Sequence, residues 1–235
     1  MVFLHGYMSA ENPRYEMLRD ILAKLGVDLW YAVAPRGRVD TFNKCGDSSW
    51  FRYRTDNTDA KPIAFDRPDS FDVRETLDKP VVSVTGYNAP NRPMSLLDII
   101  NLARENGKRR ILLCGESQGG IMASILASEH LFRLGGMDNA LLGVFLLRSA
   151  PDPMTWSPMP WPSSKYSYGL RTTWGAFVGG DDSIFPEAFV RYALSPVPGA
   201  KFHVAAGVTH YEDGHDIYKS AMETFANWAF TTPRS

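Results

Sequence analysis

Apolar residues along the chain fall into two kinds of segment, short β-rich runs and longer stretches with helical spacing. Residues 2–4 and 27–34 are typical of buried strands, and residues 15–25 between them place their apolar side chains on one helical face. The alternation continues with strands predicted at 81–85, 110–114, 142–147, 173–178 and 201–205, and helices at 93–106, 118–134, 186–194 and 216–230. Because alternating strands and helices build a mainly parallel sheet flanked by helices, the pattern predicts an α/β fold.

Two stretches interrupt this alternation. Residues 36–92 are polar and rich in proline, and they predict an irregular insertion with few elements of its own. Residues 151–172 combine proline, serine, tryptophan and tyrosine, which predicts a long surface loop that could act as a lid. The total of 235 residues suits one domain with a sizeable core, so we expect a single domain over 1–235.

Composition and charge narrow the class of protein. The chain has 25 Lys plus Arg against 26 Asp plus Glu, so no basic field favours nucleic acid as a partner. Its apolar runs are shorter than the roughly 20 residues of a membrane helix, and its start lacks the pattern of a signal peptide. The two cysteines, Cys45 and Cys114, favour neither a disulfide nor a zinc site. We expect a cytoplasmic protein without a membrane span, and the sequence carries no signal for an oligomeric state.

A candidate nucleophile lies between a predicted strand and a predicted helix. Residues 115–119 read Gly-Glu-Ser-Gln-Gly and match G-x-S-x-G, the nucleophile elbow of serine hydrolases. In that turn the flanking glycines allow a tight bend, and the serine stands at the carboxyl edge of the sheet, where the helix N-terminus favours developing negative charge. The alternative is a glycine-rich turn in which Ser117 only caps a helix.

A serine nucleophile needs a base, and the base needs an orienting acid, which follow the serine in the order Asp, His in this arrangement. His210 comes directly after the last predicted strand and is the preferred base. His215, at the start of the last predicted helix, is the alternative. Asp182 follows the strand at 173–178 and is the preferred acid, with Asp181 and Asp152 as alternatives.

Catalysis of acyl transfer also requires donors for the oxyanion of the tetrahedral intermediate. The backbone N–H of Gln118 is one candidate, and that of Tyr7, in the loop after the first strand, is the other. The turn at His5 and Gly6 could also be an ordinary strand end.

Aromatic and methionine side chains concentrate in the predicted surface loop. They could line an acyl pocket, act as a lid or pack as a small satellite core. The candidates for substrate binding are Met154, Trp156 and Trp161, with Met159, Tyr166 and Tyr168 nearby.

These motifs together resemble the FSH family of small serine hydrolases and the related phospholipase/carboxylesterase and acyl-protein thioesterase group. The resemblance is carried by Phe3–Tyr7, Ala34–Pro35, Trp50–Phe51, Gly115–Gly120, Asp182 with Pro186 four residues later, and Gly207–His210. Two positions depart from the family pattern. Glu116 stands where an aromatic residue is common, and Gly-Val-Thr-His replaces a Gly-Gly-His-like segment before the base.

The resemblance implies an α/β-hydrolase fold without the first two strands of larger hydrolases. It also implies that Ser117, Asp182 and His210 form a catalytic triad, and that Tyr7 and Gln118 form the oxyanion hole. The expected activity is hydrolysis of a small-molecule carboxylic ester or thioester through an acyl-enzyme, with no cofactor and no metal. Two other functions fit the same residues, namely acyl transfer to an alcohol or amine and non-catalytic binding of a small ligand.

Overall fold

The computed structural model describes residues 1–7, 12–36, 48–54, 67–108, 110–134, 139–151 and 172–231. Seven strands form one sheet: β1 (Val2–Leu4), β2 (Trp30–Val33), β5 (Ser83–Gly86), β6 (Ile111–Glu116), β7 (Leu141–Leu147), β8 (Thr173–Gly179) and β9 (Lys201–Ala205). Their order is β5-β2-β1-β6-β7-β8-β9, and all pairs are parallel except β2 with β5. A separate antiparallel pair contains β3 (Tyr53–Arg54) and β4 (Arg67–Pro68). The prediction of a mainly parallel sheet is therefore confirmed.

Helices cover both faces of the main sheet. They are α1 (Asn12–Lys24), α2 (Ser70–Asp78), α3 (Leu96–Glu105), α4 (Gln118–Arg133), α5 (Glu187–Leu194) and α6 (His215–Thr231). Along β6, Leu113 packs into the core that contains α2 to α5, whereas Leu112 and Cys114 pack into the core that contains α1 and α6. This alternation follows from the two-residue period of a strand. Strand β6 is buried on both faces and lies at the centre of the sheet. The turn that follows its carboxyl end is therefore supported by packed strands on both sides.

The boundaries of most predicted elements differ from the observed ones by a few residues, and one helix was missed. Strand β2 begins at Trp30 instead of residue 27, and β6 continues to Glu116. Helix α2 lies inside the predicted irregular insertion. Its first turn is capped by Asp69, whose carboxylate accepts hydrogen bonds from the backbone N–H groups of Phe71 and Asp72. The helix has only three apolar residues, Phe71, Val73 and Leu77, and Phe71 is exposed, so the sequence shows no clear helical period.

Within the described ranges, every helix is too short or too polar to cross a membrane. The single-domain organisation stays a prediction. Residues 152–171, which contain most of the predicted lid-like loop, lie outside the described residues.

Candidate active site

Ser117 lies in a tight turn between the end of β6 and the start of α4. Its φ angle is +49°, a value that few residues other than glycine adopt without strain. The backbone N–H of Ser117 donates to the carbonyl oxygen of Leu147 at 3.0 Å, which fixes the turn against β7. A β-carbon at Gly119 would overlap the carbonyl oxygens of Leu4 and His5, so α4 can approach β1 this closely only with a glycine there.

Two loops at the same edge of the sheet bring His210 and Asp182 to Ser117. The Oγ atom of Ser117 lies 2.9 Å from Nε2 of His210, and Nδ1 of His210 lies 2.9 Å from Oδ2 of Asp182. Because a carboxylate only accepts, the bond to Asp182 places the proton of neutral His210 on Nδ1 and leaves Nε2 free to accept from Ser117. The three side chains thus form a continuous hydrogen-bonded series.

The carboxylate of Asp182 is held in place by backbone groups of its own loop. The Asp182 side chain is fully buried, and its Oδ1 atom accepts the backbone N–H groups of Ile184 at 2.9 Å and Phe185 at 2.8 Å. Its other oxygen faces His210. Asp182 is therefore oriented by its own loop before any substrate binds.

The alternative residues lie elsewhere or outside the described ranges. His215 is 55% exposed and contacts only Asp216, at 3.4 Å, among the hydrogen bonds and ion pairs of the described residues. The Asp181 residue is exposed at the surface of the same loop as Asp182. Asp152 lies outside the described residues. Of the candidates weighed from the sequence, the structure brings together Ser117, His210 and Asp182.

Two aromatic rings flank His210 and were not singled out from the sequence. The buried ring of Phe185 lies 5.5 Å from the imidazole, and the ring of Tyr211 meets it edge-on at 5.3 Å. Tyr211 is 75% exposed. Their closeness in sequence to Asp182 and His210 was the available signal, because side chains next to an acid or base on a short loop necessarily lie near the site.

The loop after β1 is fixed by the buried imidazole of His5. Nε2 of His5 accepts the backbone N–H of Ala34 at 3.0 Å, so Nδ1 carries the proton and donates to the carbonyl oxygen of Gly6. The carbonyl oxygen of His5 in turn accepts the indole N–H of Trp50 at 2.7 Å. Tyr7 follows Gly6 in the turn after β1, the strand that pairs with β6. The predicted loop is therefore rigid up to Gly6.

The side chain of Gln118 connects the serine turn to a second loop. Its Oε1 atom accepts the backbone N–H of Trp50 at 2.9 Å, and its Nε2 atom donates to the carbonyl oxygen of Phe51 at 2.8 Å. Helix α2 supports the same loop, since the Thr76 hydroxyl donates to the carbonyl oxygen of Trp50 at 3.0 Å. Gln118 and Trp50 thus join the serine turn, the loop after β1 and the insertion.

Burial lowers the pKa of His5 to about 4, from an ordinary value of 6.5. Unfolding exposes the imidazole. Between pH 6.5 and 4 the His5 side chain is therefore protonated in the unfolded chain but neutral in the folded protein. We expect His5 to contribute about 3 kcal/mol to the free energy of unfolding above pH 6.5, and most of this to be lost as the pH falls to 4. Urea unfolding at a series of pH values between 4 and 7 measures how the free energy of unfolding changes with pH.

The control for this effect is a pair of histidine variants. The His5→Gln variant should lose most of this pH dependence, whereas His215→Gln should keep it because the His215 side chain is exposed. An unchanged slope in His5→Gln would assign the pH dependence to other groups.

The predicted substrate-binding residues Met154, Trp156 and Trp161 lie outside the described residues, and their role stays a prediction. In the described ranges, His, Cys, Asp and Glu side chains form no group of three or more that could hold a metal ion.

The sequence matches no family model and no curated protein. Solved structures do match across nearly the whole chain. SOBER1 of Arabidopsis thaliana is 18% identical with a TM-score of 0.66, covering 98% of this chain and 98% of that one. Acyl-protein thioesterase 2 of Zea mays is 15% identical with a TM-score of 0.60, covering 97% and 90%. Monoacylglycerol lipase of Paleococcus ferrophilus is 15% identical with a TM-score of 0.52, covering 96% and 93%. The chain therefore has the α/β-hydrolase fold, as the sequence motifs predicted.

Proposed function

We propose that the protein is a serine hydrolase that cleaves carboxylic esters or thioesters through Ser117, His210 and Asp182. The observation that carries this proposal is the pair of 2.9 Å contacts joining Ser117 Oγ, the two ring nitrogens of His210 and the Asp182 carboxylate. A hydroxyl, an imidazole and a buried carboxylate in this order have the roles of nucleophile, base and orienting acid.

The proposed reaction proceeds in two halves. Nε2 of His210 accepts the Ser117 proton as Oγ attacks the acyl carbon, and the imidazolium then gives that proton to the leaving alcohol or thiolate. A water molecule, deprotonated by His210, next attacks the acyl carbon, and the imidazolium returns that proton to Ser117 Oγ as the acyl–Oγ bond breaks and the acid leaves. Asp182 stabilises the transient positive charge on His210 in both halves.

We further propose that the backbone N–H groups of Tyr7 and Gln118 bind the oxyanion. Both residues follow the carboxyl ends of neighbouring parallel strands, β1 and β6. The contacts of His5 and Trp50 support this assignment, because an oxyanion hole works only when its donors are fixed before the reaction begins.

The acyl side of the substrate is expected to be apolar. Phe185 and Tyr211 flank His210, and Met154, Trp156 and Trp161 are the proposed lining of the acyl pocket. Two proteins with the same fold, a thioesterase and a lipase, support esters and thioesters as the classes to test.

The proposal is tested with a fluorophosphonate probe and a substrate panel. We expect the probe to form one covalent adduct, on Ser117, as mapped by peptide mass spectrometry, because only an activated serine attacks phosphorus rapidly. We also expect the protein to release acid from p-nitrophenyl esters and matching acyl thioesters of graded chain length, which ranks its acyl preference.

Two outcomes would contradict the proposal. A folded protein that the probe fails to label would favour a non-catalytic ligand receptor. Transfer of the acyl group to an added alcohol or amine in preference to water would favour an acyltransferase.

A further inference from the structure

An ionic network with a buried centre lies directly behind Ser117. It contains Arg14, Glu116, Arg148, Asp213 and Tyr218, and we call it the elbow–base network. The Glu116 carboxylate is its centre, since Oε2 accepts from Arg14 at 3.1 Å, and Oε1 accepts the Tyr218 hydroxyl at 2.8 Å and a guanidinium N–H of Arg148. The guanidinium groups of Arg14 and Arg148 each lie 5.6 Å from the centre of the Tyr218 ring.

The same network forms hydrogen bonds with the loop that carries His210. This base loop, residues 206–214, connects β9 to α6. Arg148 donates to the carbonyl oxygen of Glu212, and Arg14 donates to the Asp213 carboxylate. The Tyr218 hydroxyl lies 2.9 Å from the same carboxylate. Glu212 and Asp213 of the base loop are thus connected, through the side chains of the network, to Glu116, which precedes Ser117.

Stability alone is a poor explanation for this arrangement. The side chains of Arg148 and Glu116 are only 1% and 6% exposed. Taking each ion out of water costs several kcal/mol, and the attraction within buried pairs often does no more than offset that cost. Two cations balance two anions here, so the network carries no net charge, but apolar clusters of similar volume often stabilise a fold at least as well.

Tyr218 links the two carboxylates through one hydroxyl. Its single proton can be donated to Glu116 or Asp213 but only to one at a time, while the hydroxyl oxygen also lies 3.2 Å from Arg148. Burial, and then the charge of Glu116, raise the pKa of Tyr218 well above its ordinary value, so the hydroxyl stays protonated. It remains a donor throughout the pH range of an assay.

We propose that the elbow–base network positions His210 by fixing the base loop against the turn that carries Ser117. This inference rests on the proposed function and adds positioning residues to it, since the network acts on His210 through the loop. It also connects two features of the sequence. Glu116 stands where an aromatic residue is common, and the base loop contains an unusual Gly-Val-Thr-His segment. The network joins these two parts of the chain through the Tyr218 hydroxyl, which contacts both Glu116 and Asp213.

The sharpest test is Tyr218→Phe, which keeps the buried ring and removes only the hydroxyl. We expect kcat for p-nitrophenyl acetate to fall about tenfold to a hundredfold, because small displacements of a catalytic base have effects of that size. KM should stay within about twofold, since no network residue is assigned to substrate binding. We also expect the low-field proton resonance of the His210 Nδ1–H, hydrogen-bonded to Asp182, to broaden or shift.

Thr172→Val is the matched control. It also removes a buried hydroxyl, which donates to the carbonyl oxygen of Leu141 at 3.0 Å at the opposite edge of the sheet. Its kcat and its His210 resonance should equal those of the wild type even where its loss of stability matches that of Tyr218→Phe. Should Tyr218→Phe fail to fold, Asp213→Ala takes its place, because the Asp213 side chain is 55% exposed, with the fully exposed Asp216→Ala as its control.

An unchanged kcat and an unchanged resonance in the network variant would overturn the positioning role. The resonance requires no turnover, so it separates this inference from the proposed function. If the wild type hydrolyses none of the panel, the proposed function fails and the resonance alone decides. Its loss in Tyr218→Phe but not in Thr172→Val then supports the positioning role, and its persistence overturns it.

Discussion

Replacing Ser117 with alanine is expected to lower kcat/KM for ester hydrolysis by about 10⁴-fold or more. The variant removes the only atom that is proposed to form the acyl-enzyme, while His210 and Asp182 keep their mutual contact. Any residual rate should come from water activated by His210 and from oxyanion binding. Initial rates with the best p-nitrophenyl ester of the panel, at substrate concentrations spanning KM, measure the effect.

The control for this prediction is a serine variant away from the site. Ser195 is exposed, and its hydroxyl donates to the carbonyl oxygen of Tyr192 at 2.7 Å. Ser195→Ala should therefore keep wild-type activity and fluorophosphonate labelling. Labelling or turnover that persists in Ser117→Ala would show that another residue is the nucleophile.

His210→Ala is expected to lower kcat by about 10⁴-fold, whereas His215→Ala should change it less than about twofold. The reason is geometric, because Nε2 of His210 is 2.9 Å from the Ser117 hydroxyl and His215 is an exposed residue at the start of α6. Steady-state kinetics on both variants, with circular dichroism to verify folding, provide the measurement.

This pair of variants addresses the choice that the sequence left open. Full activity in His210→Ala together with none in His215→Ala would reverse the assignment of the base. Loss of activity in both would instead point to a role for the whole base loop, and the stability of each variant would then have to be compared.

The sequence predicted the part of the site that depends on strand ends. The carboxyl ends of parallel strands lie at one edge of a sheet, so residues that follow β6, β8 and β9 were expected at the same edge. Ser117, Asp182 and His210 follow those three strands, and the structure brings them within hydrogen-bonding distance. Strand periodicity and a short motif were sufficient for this prediction.

The sequence favoured His210 as the base but left His215 as an alternative. Both residues follow β9 within ten positions, and the direction of each side chain depends on how the base loop folds. The loop contacts Arg14 and Arg148, and no local pattern in the sequence encodes those contacts.

The elbow–base network could not be predicted from the sequence. Arg14 and Glu116 are 102 positions apart, and charged residues of this kind lie at the surface in most proteins. Helix α2 was missed for a different reason, since its few apolar positions give no reliable helical period. Pairings between distant charged residues and short capped helices are both decided by tertiary contacts.

The bonds made by Gln118 and Trp50 have a dynamic consequence. Opening the loop at 49–51 would break the bonds from Gln118 and also the indole bond to His5, so the loop after β1 would lose a support at the same moment. Segments that share hydrogen bonds in this way open together as one cooperative unit in native-state hydrogen exchange. The proposed oxyanion loop and the start of the insertion should therefore fluctuate as a single body, so that a mutation in either one changes the amide exchange rates of both.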